Sequence, residues 1–563
     1  MAVGGVLPDA DLAQVRVQPC PNPDFGDYQS SALMALAKPR RLNPRQLAAD
    51  VLARLDVRAW CEPVELAGGG FLNFRLKTSA LAAALQAAGR GEHLFFEPAS
   101  QPRTVIVDFS SPNVAKPMHV GHIRSTILGD CLARVLRLLG HRVITDNHLG
   151  DWGTQFGKLI VGWKQQLDRA ALAGDPIAEM ERLYRVINAA GESDPAVLGA
   201  ARQELVRLQS GDPENRAIWR EMIDLSQRQF DTIYARLGVK FDHTYGESFY
   251  NARLKSVVQE LAARGLARES ERAQVVFFED LPELKAHPAI IQKSDGAANY
   301  TTTDLATLAY RLETWHPDEL VYVTDGRQQL HFKQLFAIFG RWHPEARMEL
   351  AHVWFGSILG EDGKPFKTRS GDTIKLADLL DEAEERAFRV VSEKQAGLSE
   401  AERREVARIV GLGAVKYADL LPNRQSDYVF SWDKMLSLNG NTAPYLQYAY
   451  TRIRSIFRKG GLGTSGFDPD AAFSLTVPEE VALGKGLLQF GLVLEAVAGE
   501  FRPNFLCNFL YDLAGRFARF YERCPVLQAA EAERRTRLAL CDLTARVLRQ
   551  GLEGLGIEVT DQM

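Results

Sequence analysis

The chain has 563 residues, of which 46% are hydrophobic and 25% charged, and this length and composition predict about three to four globular domains. Lys and Arg total 67 against 71 Asp and Glu, which gives a formal charge of −4 and excludes a bulk basic field. We therefore expect no DNA binding, and any nucleic-acid contact must come from local patches.

The cysteine and hydropathy patterns indicate a cytoplasmic protein. None of the six cysteines belongs to a CxxC pair, so the sequence predicts buried thiols in a reducing compartment and no structural metal. The N-terminus lacks the basic region and apolar core of a secretory signal. The most apolar stretch, residues 481–498, contains Lys485, Gln489 and Glu495, so we expect no membrane span.

The first part of the chain, residues 1–100, predicts a small α+β module. The segment GDYQSSALMALAK (26–38) combines alternating and helical apolar spacing, and FLNFRL (71–76) follows a glycine-rich turn. These patterns are short and separated by turns, which is typical of a module that contains both kinds of element.

Residues 101–398 have the pattern of a Rossmann-like α/β domain. TVIVDF (104–109) predicts a buried strand, residues 123–139 a helix, and HRVITD (141–146) the next strand. Strand, helix and strand in this order predict a doubly wound parallel sheet.

The rest of the chain adds helices to this sheet. A charge-rich helical pattern at about 158–240, with SDP and GDP as helix starts, predicts a helical insertion. The sheet pattern resumes at LVYVTDG (320–326) and MELAHVWFG (348–356), and residues 399–563 predict an all-α bundle. GLGTSG (461–466) matches GxGxxG, but no strand precedes it and FDPD follows, so the sequence predicts a linker there; a Walker A motif is absent.

The segment FSSPNVAKPMHVGHIRST (109–126) joins a predicted strand to a predicted helix, where α/β sheets bind their ligands. His119 and His122 lie at the helix N-terminus, where backbone amides favour anions and two imidazoles can donate to phosphate oxygens. Gly121 would let an adenine ring approach the backbone closely. The alternative is a pair of ordinary surface histidines in a capping loop.

A second candidate site is YTTTDLATLAYRL (300–312), which places Tyr300 and Asp304 on one helical face. A carboxylate and a hydroxyl there suit a guanidinium group, which carries five fixed donors. By local pattern alone, a capping or solvated aspartate is the more common explanation of Asp304.

A third candidate site is NTAPYLQYAYTRIRS (441–455). It interleaves Tyr445, Tyr448 and Tyr450 with two arginines. Aromatic rings stack on unpaired bases and arginines bind phosphates, so the pattern suits a single-stranded RNA loop. The alternative is an amphipathic core helix with exposed arginines.

These motifs together resemble the arginyl-tRNA synthetase family. HVGH (119–122) is similar to the HIGH signature of class I aminoacyl-tRNA synthetases, and the whole segment 110–126 is similar to the arginyl version nearly residue for residue. NHLGDWGTQFGKL (147–159), FGDYQ (25–29) and the 441–455 segment also resemble the family. The similarity covers essentially the whole chain, and the N-terminal module indicates a bacterial origin.

The resemblance identifies GEDGKPFKTRSGD (360–372) as the counterpart of the KMSKS phosphate loop of class I enzymes. FKTRS replaces KMSKS, and Lys364, Lys367 and Arg369 retain positive charge; the alternative is a solvated hairpin. The resemblance implies that Lys116, just before HVGH, supplies the missing lysine. Which of these cations meets pyrophosphate stays open.

The resemblance also implies an arginine site. Tyr300, Asp304 and Gln328 fall where related enzymes bind arginine. The residues expected at the amino and carboxylate ends of the amino acid are Ser111, Pro112, Asn113 and His122. Asp108, at the end of the first strand, is a further candidate carboxylate.

Three domains are then expected, and two of them would bind tRNA. Residues 1–100 would touch the tRNA elbow around Phe71 and Asn73, residues 101–398 would hold the catalytic site, and residues 399–563 would bind the anticodon. The candidates for anticodon binding are Asn441, Tyr445, Tyr448, Arg452 and Arg454.

The resemblance implies an arginine–tRNA ligase whose substrates are L-arginine, ATP with Mg²⁺, and tRNA-Arg. Related enzymes need bound tRNA before they activate arginine, and we expect the same here, in a monomer. Two alternatives are a small-molecule nucleotidylyltransferase, which also uses HxGH, and a non-catalytic RNA-binding paralogue.

Overall fold

The structure, a computed structural model, describes residues 1–366, 374–395, 397–462 and 473–563. These residues form two compact units. The first contains residues 1–97, 449–493 and 509–549, and the second contains residues 98–448, 494–508 and 550–563. The predicted division into three domains stays a prediction.

The first unit begins with a small α+β fold. Its strands are β1 (Gln18–Pro19), β2 (Tyr28–Ser30), β3 (Glu65–Ala67) and β4 (Phe71–Phe74), and its helices are α1 (Ala2–Val6), α2 (Ala32–Arg40), α3 (Pro44–Leu52) and α4 (Thr78–Gly89). The strands form an antiparallel sheet in the order β1-β2-β4-β3. Leu33, Leu36, Leu47 and Phe74 are buried in one core, so the α+β prediction is confirmed.

The second unit is an α/β fold. Its strands are β5 (Thr104–Asp108), β6 (Arg142–Leu149), β7 (His243–Gly246), β8 (Arg268–Ser270), β9 (Ala273–Val276), β10 (Ala289–Gln292), β11 (Glu319–Tyr322), β12 (Glu349–His352), β13 (Ile358–Leu359) and β14 (Tyr428–Val429). Its helices from the first strand onward are α5 (Val120–Leu138), α6 (Gln155–Gln166), α7 (Arg169–Gly174), α8 (Pro176–Ser193), α9 (Pro195–Ser210), α10 (Pro213–Leu237), α11 (Asn251–Ala263), α12 (Tyr300–Trp315), α13 (Gln329–Trp342), α14 (Leu376–Lys394), α15 (Glu400–Leu420) and α16 (Trp432–Met435).

A parallel sheet of five strands, in the order β12-β11-β5-β6-β7, is the centre of this unit. Val105, Ile106 and Val107 of β5 are fully buried, as expected for a central strand covered on both faces. Helix α5 connects β5 to its parallel neighbour β6, which confirms the predicted Rossmann-like arrangement. The carboxyl ends of β5, β6 and β11 therefore lie along one edge of the sheet.

Helices α6 to α10 lie between β6 and β7 and form the predicted helical insertion. Helices α8, α9 and α10 each begin with a proline after an aspartate whose side chain accepts a hydrogen bond from a first-turn amide. The helix starts predicted at SDP and GDP are confirmed, because Asp194 and Asp212 are two of these caps.

The antiparallel sheet β10-β9-β8 was not predicted from the sequence. Its strands have three or four residues each, and β8 is largely exposed. Val276 and Ile291 belong to the same buried cluster as Leu305 and Leu308 of α12. These contacts, rather than a local pattern, stabilise the small sheet.

The C-terminal helices are α17 (Ala443–Lys459), α18 (Pro478–Leu487), α19 (Phe490–Glu500), α20 (Asn504–Arg523) and α21 (Glu531–Gly554). The segment Pro478–Glu500 is long and apolar enough to cross a membrane, with a mean hydropathy of 1.5. Within it, however, Glu480 is buried and accepts a hydrogen bond from Arg537 at 2.8 Å. This ion pair places α18 in the core of its own unit.

Candidate active site

The segment that precedes α5 leaves the sheet edge in a strained path. Ser110, Ser111 and Ala115 have positive φ angles of 74°, 49° and 61°, which residues with a side chain rarely adopt. Their backbone amides are held by side chains: Ser110 by Ser125 at 2.9 Å, and Ala115 by Ser226 at 3.0 Å. Such strain persists where surrounding contacts over-determine the backbone, and it concentrates at functional sites.

The two histidines of HVGH cap α5 reciprocally. The Gly121 amide donates to Nδ1 of His119 at 3.0 Å, and the His119 amide donates to Nδ1 of His122 at 3.1 Å. Because each Nδ1 is an acceptor, the neutral ring carries its proton on Nε2. Burial lowers the pKa of His122 to about 3, and burial also lowers the pKa of His119. Both rings are therefore neutral donors at pH 7.

Gly121 is required by the geometry of this cap. A Cβ atom at Gly121 would lie 2.8 Å from Cε1 of the His119 ring, so a side chain would displace the imidazole. The two ring centroids are 4.0 Å apart, and both rings lie at the N-terminus of a long helix. The predicted approach of adenine to Gly121 stays a prediction.

The predicted phosphate loop is described only in part. Lys364 is exposed in a turn, where its amide donates to Asp362 at 3.1 Å. Lys367 and Arg369 lie outside the described residues. Beyond them, the Val120 amide donates to Ile374 at 3.0 Å, and the Leu376 amide donates to Met118 at 2.9 Å. The chain that follows the loop is thus hydrogen-bonded directly to HVGH.

The second candidate site lies where α12 meets α13. An Asp304 carboxylate oxygen is 2.6 Å from Nε2 of His331, and the Tyr300 ring packs 4.9 Å from the His331 ring. Tyr300 is exposed, with 60% of its surface accessible, and Gln328 is exposed in a short 3-10 helix, Gly326–Gln328, before α13. The structure therefore brings Tyr300 and Asp304 together around a histidine that the sequence analysis missed.

Glu247 is a further acidic residue that the sequence analysis missed. It follows β7 directly, in the 3-10 helix Glu247–Tyr250, at the carboxyl end of the sheet. Burial, together with the smaller effects of the nearby charges of Asp304 and Asp151, raises its pKa to about 7. Among the described residues, no Lys or Arg forms an ion pair with Glu247 or Asp304. Two acidic groups without a described Lys or Arg partner suit a cationic ligand, which would also favour the ionised form of Glu247.

The negative charge of Asp108 is balanced by a buried arginine of the protein itself. Arg311 is fully buried and pairs with Asp108 at 2.5 Å and with Asp146 at 2.8 Å. The hydroxyl of Ser111 donates to the other oxygen of Asp108 at 3.2 Å. Asp108 thus orients the hydroxyl of Ser111. The sequence indicated Asp108 only by its position at the end of a strand. It could not indicate the ion pair, because Arg311 is distant in the chain.

Pro112 and Asn113 lie beside Gly150. The Gly150 amide donates to the Pro112 carbonyl at 3.1 Å, and Asn113 pairs with Gly150 as an isolated parallel bridge. A Cβ atom at Gly150 would lie 2.2 Å from Oδ1 of Asn113, so the glycine allows this close approach. The Ser111 amide donates to Asn147 at 3.0 Å. The segment 111–113, which is predicted to bind the ends of the amino acid, is therefore held by hydrogen bonds at the end of β6.

The tRNA candidates have different surroundings. On α17, Tyr448 and Arg452 are exposed, whereas Tyr450 is buried and belongs to the core. The Arg452 guanidinium lies 4.5 Å from the centroid of the Tyr521 ring. Tyr445 and Arg454 are partly buried on the same helix.

Three other tRNA candidates are hydrogen-bonded to other residues of the protein or are at least partly buried. The Asn441 amide accepts a hydrogen bond from Tyr417 at 2.5 Å and donates to Asn508 at 3.1 Å. On β4, Phe71 is partly buried, and Asn73 is 5% exposed. Contacts of all these residues with tRNA stay predictions.

Three family models match the chain. Residues 86–432 match the model described as tRNA synthetases class I (R), catalytic domain, residues 446–563 match the DALR anticodon binding domain, and residues 2–76 match the arginyl tRNA synthetase N terminal domain. The first model covers HVGH, Asp304 and Glu247, so the catalytic-domain match includes both candidate sites described above.

Curated relatives and solved structures agree with these matches. The chain is 49% identical to the arginine–tRNA ligase of Synechococcus elongatus, over 97% of this chain and 94% of the relative, and 46% identical to that of Chromobacterium violaceum, over 99% and 96%. The arginyl-tRNA synthetase structure from Plasmodium falciparum has a TM-score of 0.85 at 29% identity, covering 100% of this chain and 97% of that one. The Thermus thermophilus structure has a TM-score of 0.84 at 26% identity, covering 100% and 99%. The chain belongs to the arginyl-tRNA synthetase family of class I enzymes.

Proposed function

We propose that this protein is an ATP-dependent arginine–tRNA ligase, which activates L-arginine to arginyl-adenylate and transfers arginine to the 3′-terminal adenosine of tRNA-Arg. The observation that carries the proposal is one sheet edge with two complementary features. Neutral imidazole donors lie at the N-terminus of α5, and two acidic side chains that form no ion pair with a described Lys or Arg, Asp304 and Glu247, lie on α12 and directly after β7. The first feature suits phosphate, and the second suits guanidinium.

The activation step uses position and charge. The α5 N-terminus and the Nε2–H groups of His119 and His122 donate to the phosphate oxygens of ATP as the arginine carboxylate attacks the α-phosphorus. Lys116, Lys364, Lys367 and Arg369 supply positive charge for pyrophosphate. ATP enters as its Mg²⁺ complex. Among the described residues, no group of three or more His, Cys, Asp and Glu is placed to hold a metal, so we assign no protein ligand to Mg²⁺.

The amino-acid pocket recognises both ends of arginine. Asp304, oriented by His331, and Glu247 pair with the guanidinium, while Tyr300 packs against it and Gln328 adds a polar contact. The residues that hold the amino and carboxylate ends are Ser111, Pro112, Asn113 and His122. Asp108 holds the Ser111 hydroxyl in place.

A hydroxyl of the terminal ribose then attacks the adenylate carbonyl, the bond from the carbonyl carbon to the phosphate oxygen breaks, and AMP leaves. The remaining candidates hold the tRNA body. The elbow would contact Phe71 and Asn73, and the anticodon loop would contact Asn441, Tyr445, Tyr448, Arg452 and Arg454. The protein would act in the cytoplasm as a monomer, with tRNA bound before activation. The net charge of −4 provides no global basic field, and these local contacts do not require one.

Charging tests the proposal directly. Purified total tRNA is incubated with the protein, ATP and each of the twenty amino acids in turn, and acid-stable aminoacyl-tRNA is measured. We expect product with arginine only, and only when ATP is present. Product with another amino acid would contradict the carboxylate pocket, and nucleotide transfer to a small molecule without RNA would contradict the ligase.

A further inference from the structure

Helix α10, the last helix of the insertion, contacts the strained segment 110–115 at both of its ends. The hydroxyl of Ser226 accepts a hydrogen bond from the Ala115 amide at 3.0 Å, and the hydroxyl of Tyr234 lies 2.8 Å from that of Ser110. Ser226 and Tyr234 are both buried, and they lie about two turns apart on one face of the helix. The segment that is predicted to bind the ends of the amino acid is therefore held by a helix from a distant part of the chain.

Asn147 of β6 determines how the Tyr234 hydroxyl is oriented. Its side-chain nitrogen donates to the Tyr234 hydroxyl at 3.1 Å, and its side-chain oxygen accepts from the Ser111 amide at 3.0 Å. Because a backbone amide can only donate, the oxygen and nitrogen of the Asn147 side chain cannot be exchanged. Burial raises the pKa of Tyr234, so the phenol stays protonated. Its single proton therefore points away from Asn147 and needs another acceptor.

The first turns of α5 determine where that proton goes. The Thr126 hydroxyl lies 2.8 Å from the His122 carbonyl, which can only accept, and 2.9 Å from the Ser110 hydroxyl. If Thr126 donates to this carbonyl, Ser110 can donate to Thr126 and Tyr234 can donate to Ser110. In any other order, one of these buried hydroxyl protons has no acceptor among the described residues. The hydrogen bonds thus run in one direction, from β6 through α10 to the backbone of HVGH.

The contacts with α10 maintain an unfavourable backbone conformation. Ser110 and Ser111 have φ angles of 74° and 49°, and residues with a side chain keep such angles only where surrounding contacts hold them. Loss of the Tyr234 hydroxyl would leave the Asn147 amide and the Ser110 hydroxyl buried without this partner. The segment would then relax towards an ordinary conformation, and the groups next to Ser110 would move with it.

We propose that Tyr234 and Ser226 of α10 are positioning residues for arginine activation. They hold the segment 110–115 in the conformation that directs Ser111 and Asn113 at the amino and carboxylate ends of arginine. The inference rests on the proposed ligase function, which assigns this segment to the amino acid. It gives the insertion helix a role in the shape of the amino-acid pocket, exerted through the backbone of another segment.

The test compares two ligands that share the guanidinium group. L-Arginine has amino and carboxylate ends, whereas butylguanidine ends in a methyl group and can use only the guanidinium part of the pocket. Charging assays with tRNA-Arg give kcat and KM for arginine, KM for ATP, and the inhibition constant of butylguanidine. Tyr234→Phe and Ser226→Ala each remove one hydroxyl. Tyr234→Phe also keeps the ring that packs edge to face with Phe241, at 4.9 Å between centroids.

In both variants we expect kcat/KM for arginine to fall about 5- to 100-fold, the range for leaving a buried donor or acceptor unsatisfied. The inhibition constant of butylguanidine and the KM of ATP should stay within about twofold of the wild type, because the guanidinium and phosphate sites keep their geometry. Thr232→Val is the matched control. Thr232 is exposed on the same helix, and its hydroxyl donates to the Arg228 carbonyl of that helix at 2.9 Å, so all constants should be unchanged.

Equal weakening of arginine and butylguanidine would overturn the inference, since it would indicate a general loosening of the domain. Wild-type constants in Tyr234→Phe and Ser226→Ala would overturn it as well. Melting temperatures show whether each variant is folded, and if Tyr234→Phe is not, the constants of Ser226→Ala decide. Failure of the wild type to charge arginine would contradict the proposed function. A wild type that charges arginine but binds butylguanidine equally tightly would contradict this inference alone.

Discussion

Replacing Asp304 with Asn is the sharpest test of the arginine pocket. The change keeps the shape of the side chain but removes the charge that we propose faces guanidinium. Truncating one side of a desolvated charge pair weakens binding by about 30- to several-thousand-fold, so we expect arginine affinity to fall within that range. Asp304 is only partly buried, with 25% of its side chain exposed, which favours the lower half of the range.

The neighbouring Glu247 adds a pH dependence with a definite sign. Its pKa is raised to about 7, so it becomes neutral as the pH falls through that value and its attraction for guanidinium is lost. Arginine affinity in the wild type should therefore decrease from about pH 8 to pH 6, by up to ~10-fold per pH unit below the pKa. Removing the Asp304 charge lowers the pKa of Glu247, so in Asp304→Asn this decrease should begin at a lower pH.

Calorimetric titration of arginine, citrulline and lysine, with tRNA present, measures these effects. Citrulline is neutral and nearly isosteric with arginine, so the wild type should reject it and Asp304→Asn should discriminate less. Asp224→Asn, an exposed aspartate on α10, is the matched control and should leave all three affinities unchanged. Unchanged arginine affinity in Asp304→Asn would remove Asp304 from the site and leave Glu247 as the candidate partner of guanidinium.

Three further predictions concern the phosphate site and the core. His122→Ala should lower adenylate formation about 10²- to 10³-fold, the loss expected for one preorganised donor, and exchange kinetics within about threefold of wild type would contradict the assignment. Lys116→Ala should slow adenylate formation more than Lys367→Ala in rapid-quench experiments; the reverse order would return the main role to the loop. Arg311→Met leaves its two aspartates buried without a partner, so urea unfolding should show a loss of about 3–5 kcal/mol, and a loss below about 1 kcal/mol would contradict a structural role for the ion pair.

Much of the fold follows from local features of the sequence. The apolar run of β5, the helical spacing of α5 and the strand after it predict a parallel sheet, because a buried strand and an amphipathic helix have different periods. Asp-Pro pairs predict the starts of α9 and α10, because an aspartate cap and a proline both stabilise a first turn. The family resemblance depends on similarly local motifs, and it was confirmed.

The candidate site is only partly local. HVGH and the Tyr300/Asp304 pair lie on single helices, so their spacing alone brings the side chains together. The resemblance added Gln328 and the 111–113 segment, whose position at a sheet edge follows from the predicted topology. The ring tautomers at the start of α5 required the observed hydrogen bonds, because spacing does not show which nitrogen accepts.

Only the tertiary structure determined the electrostatics of the site. Glu247, His331 and Arg311 carry no motif, and each acquires its role from contacts between elements. Glu247 is perturbed by burial and then by the charge of Asp304, His331 contacts Asp304, and Arg311 pairs with the acids of β5 and β6. A cavity of about 620 Å³ beside HVGH likewise depends on tertiary packing, because its wall includes Gln155 of α6 and Tyr184 of α8. The sequence determined which side chains lie on each helix and strand, because those periods are local. Which charges face each other, and how far they are buried from water, depends on contacts between distant segments and was decided by the packing.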